Sequence, residues 1–209
     1  MSDIFNQLKN FRIIPVIVID DPSKSAPLGK ALIDGGLPCG EITFRTANAA
    51  EAIREMAKAH PNMLLGAGTI LTPAQADSAV EAGAKFLIAP GFNPEVVRHC
   101  QKKGIPILPG VMTPSDIDQA MSLGLDTVKF FPAEAAGGVN MIKSLSGPYR
   151  NIKFVPTGGV SPSNLGSYLS IKSVIACGGS WMVKDDLIAG GNFDEIKKLT
   201  AEAVALARS

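Results

Sequence analysis

The sequence predicts an α/β protein in which eight short strands alternate with helices. No two apolar runs are joined by a hairpin-type turn, so the sheet should be all-parallel. Because eight strands close a (β/α)8 barrel, we expect one closed TIM barrel spanning residues 1–209 as a single domain. The predicted strands are 13–19, 40–45, 64–69, 86–89, 107–111, 127–131, 154–157 and 174–177.

An extra helix is predicted before the first strand. Residues 2–11 place Ile4, Phe5, Leu8 and Phe11 on one side at helical spacing.

The first strand is then followed by Ile19-Asp20-Asp21-Pro22. An open, doubly wound sheet would favour a Gly-x-Gly-x-x-Gly turn there, so that alternative is disfavoured.

The helices between the strands carry recognisable start and stop signals. Thr72-Pro73 and Thr113-Pro114 combine an N-cap residue with proline in the first turn, and Asn93-Pro94 and Ser161-Pro162 are variants of the same start. Gly35-Gly36 is a typical C-terminal stop.

Composition excludes several classes of function. The chain has 20 Lys and Arg against 19 Asp and Glu, which predicts neither a nucleic-acid partner nor attraction to an anionic membrane. Residues 1–6 do not resemble a signal peptide, and no apolar run approaches the roughly 20 residues that span a bilayer. Cys39, Cys100 and Cys177 lack metal-ligand or redox spacing, so we expect reduced thiols, a cytoplasmic protein and no metal.

Lys129 lies in an otherwise apolar predicted strand, two residues before Phe131-Pro132. Burying an ammonium without a partner is costly, and burial favours the neutral amine, which is a nucleophile. Lys129 is therefore a candidate for imine chemistry with a carbonyl substrate. The alternative is a lysine whose stem packs while its head reaches water, and the strand alone does not decide between them.

The second predicted strand places polar side chains on one face. Period-2 alternation puts Glu41, Thr43 and Arg45 together, facing the interior, and Ile42 and Phe44 on the opposite face. Glu41 could then transfer protons near Lys129 while Arg45 binds a substrate carboxylate in a bidentate manner. A buried Glu41–Arg45 ion pair is the structural alternative.

Small residues end four other strands. Gly66-Ala67-Gly68-Thr69 and Ala89-Pro90-Gly91 could border a ligand, although tight turns alone would explain them. Thr157-Gly158-Gly159 and Gly178-Gly179-Ser180 follow the seventh and eighth strands. Loops at these positions of a barrel often bind phosphate through backbone N–H groups, so we predict a phosphate site there.

These motifs together resemble a known family. Gly-Glu-Ile-Thr-Phe-Arg-Thr at 40–46, Val-Lys-Phe-Phe-Pro-Ala-Glu at 128–134 and Pro-Thr-Gly-Gly-Val-Ser-Pro at 156–162 look like the bacterial 2-keto-3-deoxy-6-phosphogluconate (KDPG) aldolases, which also cleave 4-hydroxy-2-oxoglutarate (KHG). The resemblance runs over nearly the whole chain. It implies a cytoplasmic, homotrimeric class I aldolase of the Entner–Doudoroff pathway, without cofactor or metal.

The resemblance also implies residue roles. Lys129 would form the Schiff base and Glu41 would donate and accept protons. Arg45 and Thr69 would bind the pyruvate carboxylate, and Pro90 and Phe131 would flank the pyruvyl group. The phosphorylated end would contact Thr157, Gly158, Gly159, Gly179 and Ser180.

Two other functions remain open from the residues alone. One is a phosphate-binding barrel isomerase or lyase that uses Glu41 as a base without an imine. The other is a non-catalytic barrel that binds a phosphorylated ligand, with Lys129 and Glu41 as a structural ion pair. Asp20-Asp21 would weaken attraction for a phosphate dianion, and Arg12 precedes the first strand, so it receives no site role.

Overall fold

The computed structural model describes residues 3–209, so the predicted helical position Ser2 lies outside the described residues. Ten helices alternate with the strands, and a short 3-10 turn covers Pro22–Lys24. The helices are α1 Asp3–Phe11, α2 Ser25–Asp34, α3 Ala49–Ala59, α4 Pro73–Glu81, α5 Pro94–Lys102, α6 Pro114–Ser122, α7 Gly138–Ser146, α8 Leu165–Leu169, α9 Asp185–Ala189 and α10 Phe193–Arg208.

The strands are short and almost completely buried. They are β1 Ile13–Ile17, β2 Cys39–Thr43, β3 Leu64–Gly68, β4 Phe86–Ile88, β5 Ile107–Leu108, β6 Gly110–Val111, β7 Thr127–Phe130, β8 Lys153–Pro156 and β9 Cys177–Gly179. Such runs suit a parallel sheet that is covered on both faces.

Capping explains where three of the helices begin. The hydroxyl of Thr72 accepts a hydrogen bond from Gln75 N, and Thr113 forms a reciprocal capping box with Asp116. Asn93 caps α5 in the predicted way. The Ser161-Pro162 start is different, because turn residues precede α8 and its first helical residue is Leu165.

All ladder pairs in residues 3–209 are parallel, and they form two sheets. A six-stranded sheet has the order β5-β4-β3-β2-β1-β9, and a three-stranded sheet has the order β6-β7-β8. Glu41 in β2 is in register with Gly66 of β3, and Lys129 in β7 is in register with Gly110 of β6. Parallel pairing brings the carboxyl ends of the strands to one edge.

The predicted closed eight-stranded TIM barrel is wrong. The six-stranded sheet is open and curled, and the hydrogen-bond ladder does not run around a ring. The predicted strand 107–111 is split by Pro109, which has no N–H to donate to a ladder. At the other edge of the three-stranded sheet, the β8 region and the β9 region share no ladder in residues 3–209. They are joined by the isolated bridges Phe154↔Val174 and Thr157↔Gly178.

The hydrophobic core runs from Phe5 to Ala207 and fills the space between strands and helices. Cys39, Cys100 and Cys177 are buried free thiols within it. Burial raises the pKa of Cys39 and Cys177, and raises that of Cys100 to about 11, so these thiols are poor nucleophiles. In residues 3–209 no helix combines the length and apolar character that a bilayer crossing needs.

Candidate active site

Lys129 and Glu41 meet in the interior, as the strand alternation predicted. Lys129 Nζ lies 3.7 Å from Glu41 Oε1, and the two side chains are 4% and 1% exposed. Strand β7 supplies the lysine and strand β2 the glutamate, so the pair joins the two sheets. The snorkelling alternative for Lys129 does not fit this burial.

The Glu41 carboxylate is only partly satisfied. Among the described residues, its Oε1 atom has no hydrogen-bond partner, and the separation from Lys129 exceeds normal hydrogen-bond length. A Cβ atom on Gly68 would lie 2.6 Å from Glu41 Cδ, so only glycine leaves room for the carboxylate. A buried charged oxygen without a partner is costly, and the gap beside it is suited to a water or a substrate hydroxyl.

Phe131, which directly follows strand β7, lies beside the lysine amine. Lys129 Nζ lies 4.9 Å from the centroid of the Phe131 ring, which is cation–π distance. Lys129 N donates to Pro109 O at 2.9 Å, so the backbone around the amine is held by the ladder. The amine is therefore fixed between an aromatic face and a carboxylate.

A cavity of about 400 Å³ opens beside this pair. Neither Lys129 nor Glu41 lines it, but Phe131 and Val16 do, and Val16 is in register with Glu41. Seven of the predicted substrate-binding residues line the cavity: Arg45, Phe131, Thr157, Gly158, Gly159, Gly179 and Ser180. The structure thus gathers most of the predicted site around one opening.

The two Gly-Gly segments lie side by side in this cavity. The bridge Thr157↔Gly178 joins them, and a Cβ atom on Gly178 would lie 3.0 Å from Thr157 Cγ2. Gly158 and Gly159 have φ angles of 99° and 81°, which side chains other than glycine rarely adopt. Their backbone can therefore approach a ligand closely.

Arg45 lies elsewhere than the alternation predicted. Strand β2 ends at Thr43, so Arg45 belongs to the following turn and is exposed at the cavity rather than directed inward from the strand. Glu41 is paired with Lys129, which disfavours the Glu41–Arg45 ion-pair alternative. An exposed guanidinium at the cavity is available to an anionic substrate.

Thr69 and Pro90 do not line the cavity but follow strands β3 and β4, next to the Lys129–Glu41 pair. Thr69 directly follows Gly68, whose Cα faces the Glu41 carboxylate, and has a φ angle of 58°. A β-branched residue in this conformation is strained, and such strain concentrates at functional sites. A Cβ atom on Gly110, the register partner of Lys129, would lie 2.7 Å from Gly91 N, so the Pro90 segment packs directly against that position.

Other cavity residues were not predicted. These are Val16, Val18, Val160 and the exposed Asp185, while Gly178, from the predicted phosphate segment, completes the lining. The alternation of Val16 and Val18 along the predicted strand 13–19 could have revealed the first two. Asp185 starts α9 after an irregular loop, and no local pattern marks it. In residues 3–209 no group of three or more His, Cys, Asp or Glu side chains is arranged to hold a metal.

Comparison with known proteins identifies the family. A family model described as "KDPG and KHG aldolase" matches residues 4–199. The chain is 46% identical over 206 residues to the 2-dehydro-3-deoxy-phosphogluconate aldolase of Treponema pallidum, covering 99% of this chain and 98% of that protein. It is 44% identical over 192 residues to the KHG/KDPG aldolase of Escherichia coli K12, covering 92% of this chain and 90% of that protein.

A solved structure is similar over nearly its full length. It is the KDPG aldolase of Legionella pneumophila, with pyruvate captured as a covalent carbinolamine. The TM-score is 0.93 at 38% identity, with 96% of this chain and 98% of that chain covered. These matches confirm the resemblance seen in the sequence motifs, and the chain belongs to the KDPG and KHG aldolase family.

Proposed function

We propose that Lys129 forms the imine by which this aldolase cleaves KDPG into pyruvate and glyceraldehyde 3-phosphate. One observation carries the proposal: Lys129 Nζ and Glu41 Oε1 face each other at 3.7 Å, nearly excluded from water, beside the cavity. A buried amine next to a carboxylate suits carbonyl addition and proton transfer. The covalent pyruvate in the Legionella pneumophila relative supports the same chemistry here.

Cleavage begins with attack of the neutral Lys129 amine on the C2 ketone of the substrate. The proton that the ammonium gave up to Glu41 returns to the departing hydroxyl, so that loss of water gives a protonated imine, which can accept an electron pair. Glu41, acting through a water in the gap beside Oε1, removes the proton of the C4 hydroxyl. The C3–C4 bond then breaks, glyceraldehyde 3-phosphate leaves, and the electron pair is held as an enamine on Lys129.

Glu41 also serves the return step. The proton that it removed is delivered to the enamine carbon, which restores the imine of pyruvate. Water then adds to the imine and releases pyruvate and the free amine. One carboxylate can act twice because the first step leaves it protonated. The absence of a side chain at Gly68 leaves the space that the Glu41 carboxylate occupies.

The substrate ends are held by different parts of the cavity. Arg45 is the cation at the cavity, and together with Thr69 it would bind the pyruvyl carboxylate. Pro90 and Phe131 would flank the ketone. The phosphate would bind the backbone of the two Gly-Gly segments, with the side chains of Thr157 and Ser180.

The same site is proposed to cleave 4-hydroxy-2-oxoglutarate into pyruvate and glyoxylate. This substrate shares the C2 ketone and the C4 hydroxyl with KDPG but has no phosphate. The steps at Lys129 and Glu41 are therefore common to both. Contacts at the Gly-Gly segments would contribute only to KDPG.

Borohydride trapping tests the proposal directly. The protein is incubated with pyruvate, reduced, digested and mapped by mass spectrometry. We expect one adduct, at Lys129, and none in Lys129→Met. Lys153→Met is the matched control, because Lys153 also lies in a strand but at its amino end, and should trap like the wild type. An adduct elsewhere would defeat the assignment to Lys129, and cleavage that resists borohydride would favour chemistry without an imine.

Glu41→Gln separates imine formation from proton transfer. The amide keeps the shape of the side chain but cannot accept the C4 hydroxyl proton. We expect the variant to trap pyruvate while turnover falls by a factor of about 10² to 10⁴. Normal turnover would remove Glu41 from the mechanism.

We also propose a homotrimer that works in the cytoplasm. The trimer is supported by resemblance to the family, and the compartment by three thiols that are buried and free. Light scattering on a sizing column measures the assembly. A monomeric mass at micromolar concentration would contradict the trimer.

A further inference from the structure

The loop that follows Lys129 is fastened to the glycine turn that follows β8. Ala133 N donates to Thr157 O at 2.8 Å, and Glu134 N donates to Gly158 O at 3.0 Å. The side chain of Glu134 also covers the turn, since a Cβ atom on Gly159 would lie 2.7 Å from Glu134 Cβ. The turn is thus held by backbone and side chain of the same short loop.

Tyr168 holds that side chain in place. Its ring lies in α8 and is 0% exposed, and its hydroxyl donates to Glu134 Oε1. Burial, followed by this contact with the carboxylate, raises the pKa of Tyr168, so the hydroxyl stays a donor. Glu134 itself is exposed, and without a partner its side chain would be free to rotate into solvent.

The start of α8 braces the turn from a second direction. Asn164 Nδ2 donates to Gly159 O at 3.1 Å, and Asn164 Oδ1 accepts from Ser161 N at 2.8 Å. Two successive glycines with positive φ have wide conformational freedom, so their geometry must come from such neighbours. Helix α8 therefore acts on the turn through both Asn164 and Tyr168.

We propose that Glu134 and Tyr168 are positioning residues that set the enzyme's preference for phosphorylated over non-phosphorylated substrates. The inference rests on the proposed function, in which the turn at Gly158 and Gly159 binds the phosphate. Backbone donors bind an anion strongly only when they are held in place before it arrives. Glu134 and Tyr168 supply that order without touching the substrate.

The effect should be confined to one end of the substrate. The turn belongs to the phosphate side of the cavity, whereas Lys129 and Glu41 are positioned by β7 and β2. Loosening the turn should weaken KDPG binding and leave the shared chemical steps intact. A purely structural role would instead affect both substrates equally.

Tyr168→Phe is the test, because it keeps the ring and removes only the hydroxyl. We expect KM for KDPG to rise about tenfold, while kcat/KM for 4-hydroxy-2-oxoglutarate stays within about twofold. Tyr149→Phe is the matched control, since Tyr149 OH donates to Asp118 Oδ1 at the surface, and it should change neither substrate. Equal losses on both substrates, or no loss on either, would overturn the proposal.

Two variants at Glu134 test the same proposal independently. If Tyr168→Phe does not fold, these two variants are sufficient to decide it. Glu134→Gln keeps an oxygen that can accept from Tyr168, so KM for KDPG should not rise above the wild-type value. Glu134→Ala should reproduce the selective rise in KM for KDPG. If the two variants match each other, the inference is wrong. Borohydride trapping distinguishes failure of this inference from failure of the proposed function. If the wild type formed no adduct at Lys129, the proposed function itself would be wrong.

Discussion

Replacing Lys129 with methionine tests whether Lys129 and Glu41 form a buried ion pair. The methionine matches the length of the lysine and leaves Glu41 at 1% exposure with Oε1 lacking a hydrogen-bond partner in the described residues. Removing one member of a buried pair costs about 3–5 kcal/mol, because the remaining charge is uncompensated. We therefore expect Lys129→Met to lower the free energy of unfolding by about 3 kcal/mol at pH 7.

The double variant Lys129→Met, Glu41→Leu should behave in the opposite way. Two apolar side chains replace both charges, and such exchanges are neutral or stabilising by about 1–4 kcal/mol. The measured quantity is the difference in the free energy of unfolding between the double variant and Lys129→Met. Neither variant should retain activity, so stability is the readout.

Urea unfolding and thermal melting measure the effect. For a chain of this size about 3 kcal/mol corresponds to a fall in Tm of roughly 6–12 °C. Lys30→Met is the control, because Lys30 and Asp34 form a pair with 70% and 35% of their side chains exposed. It should shift stability by less than about 1 kcal/mol. If Lys129→Met were as stable as the wild type, and the double variant gained nothing over it, the buried-charge reasoning would be refuted.

Three further substitutions probe the site and its supports. Gly68→Ala should push the Glu41 carboxylate aside and lower kcat by a factor of about 10 to 100, with trapping of pyruvate retained. Asp185→Asn should lower KM for KDPG about two- to threefold at low salt, because one negative charge leaves the cavity entrance. Burial raises the pKa of Asp116, but hydrogen bonds from backbone N–H groups and Thr113 outweigh it, so the pKa lies below its usual value. The contribution of ionised Asp116 to the free energy of unfolding is complete above the ordinary aspartate pKa. It is lost as the pH falls through the lower pKa that Asp116 has in the folded protein. The free energy of unfolding of Asp116→Asn should therefore depend less on pH in the acid range.

The first two of these substitutions have a control in the chain. Gly166→Ala meets no atom within 4 Å and should leave kcat unchanged. Asp186→Asn removes a charge next to Asp185 but outside the cavity and should not change KM. An Asp116→Asn profile that parallels the wild type down to acid pH would contradict the capping argument. Steady-state kinetics and pH-dependent unfolding supply the measurements.

The sequence predicted the parts of the site that depend on local periodicity. Lys129 and Glu41 lie in strands, and period-2 alternation was enough to direct both inward. The helix starts at Thr72 and Thr113 were predictable because a capping hydroxyl and a proline act within one turn. Family motifs added the cavity residues that single-strand patterns could not assign.

Closure of the sheet was not predictable, because it depends on hydrogen bonds between distant segments. Eight apolar runs suggest a closed barrel, but Pro109 interrupts the predicted strand 107–111. Between the β8 and β9 regions the described residues form isolated bridges in place of a ladder. Arg45 was placed on the wrong element because nothing local marks the end of β2 at Thr43. The positive φ of Thr69 had no signal either, since threonine seldom adopts it.

The break in the ladder falls between Glu41 and Lys129. Glu41 belongs to the six-stranded sheet and Lys129 to the three-stranded one, so their separation is set by packing across a junction rather than by strand register. A slight sliding of one sheet against the other can widen this gap for an incoming ketone without breaking hydrogen bonds inside either sheet. The amide protons of Gly110 and Ile175, which lie at the two junctions, should accordingly exchange with deuterium sooner than those within the sheets.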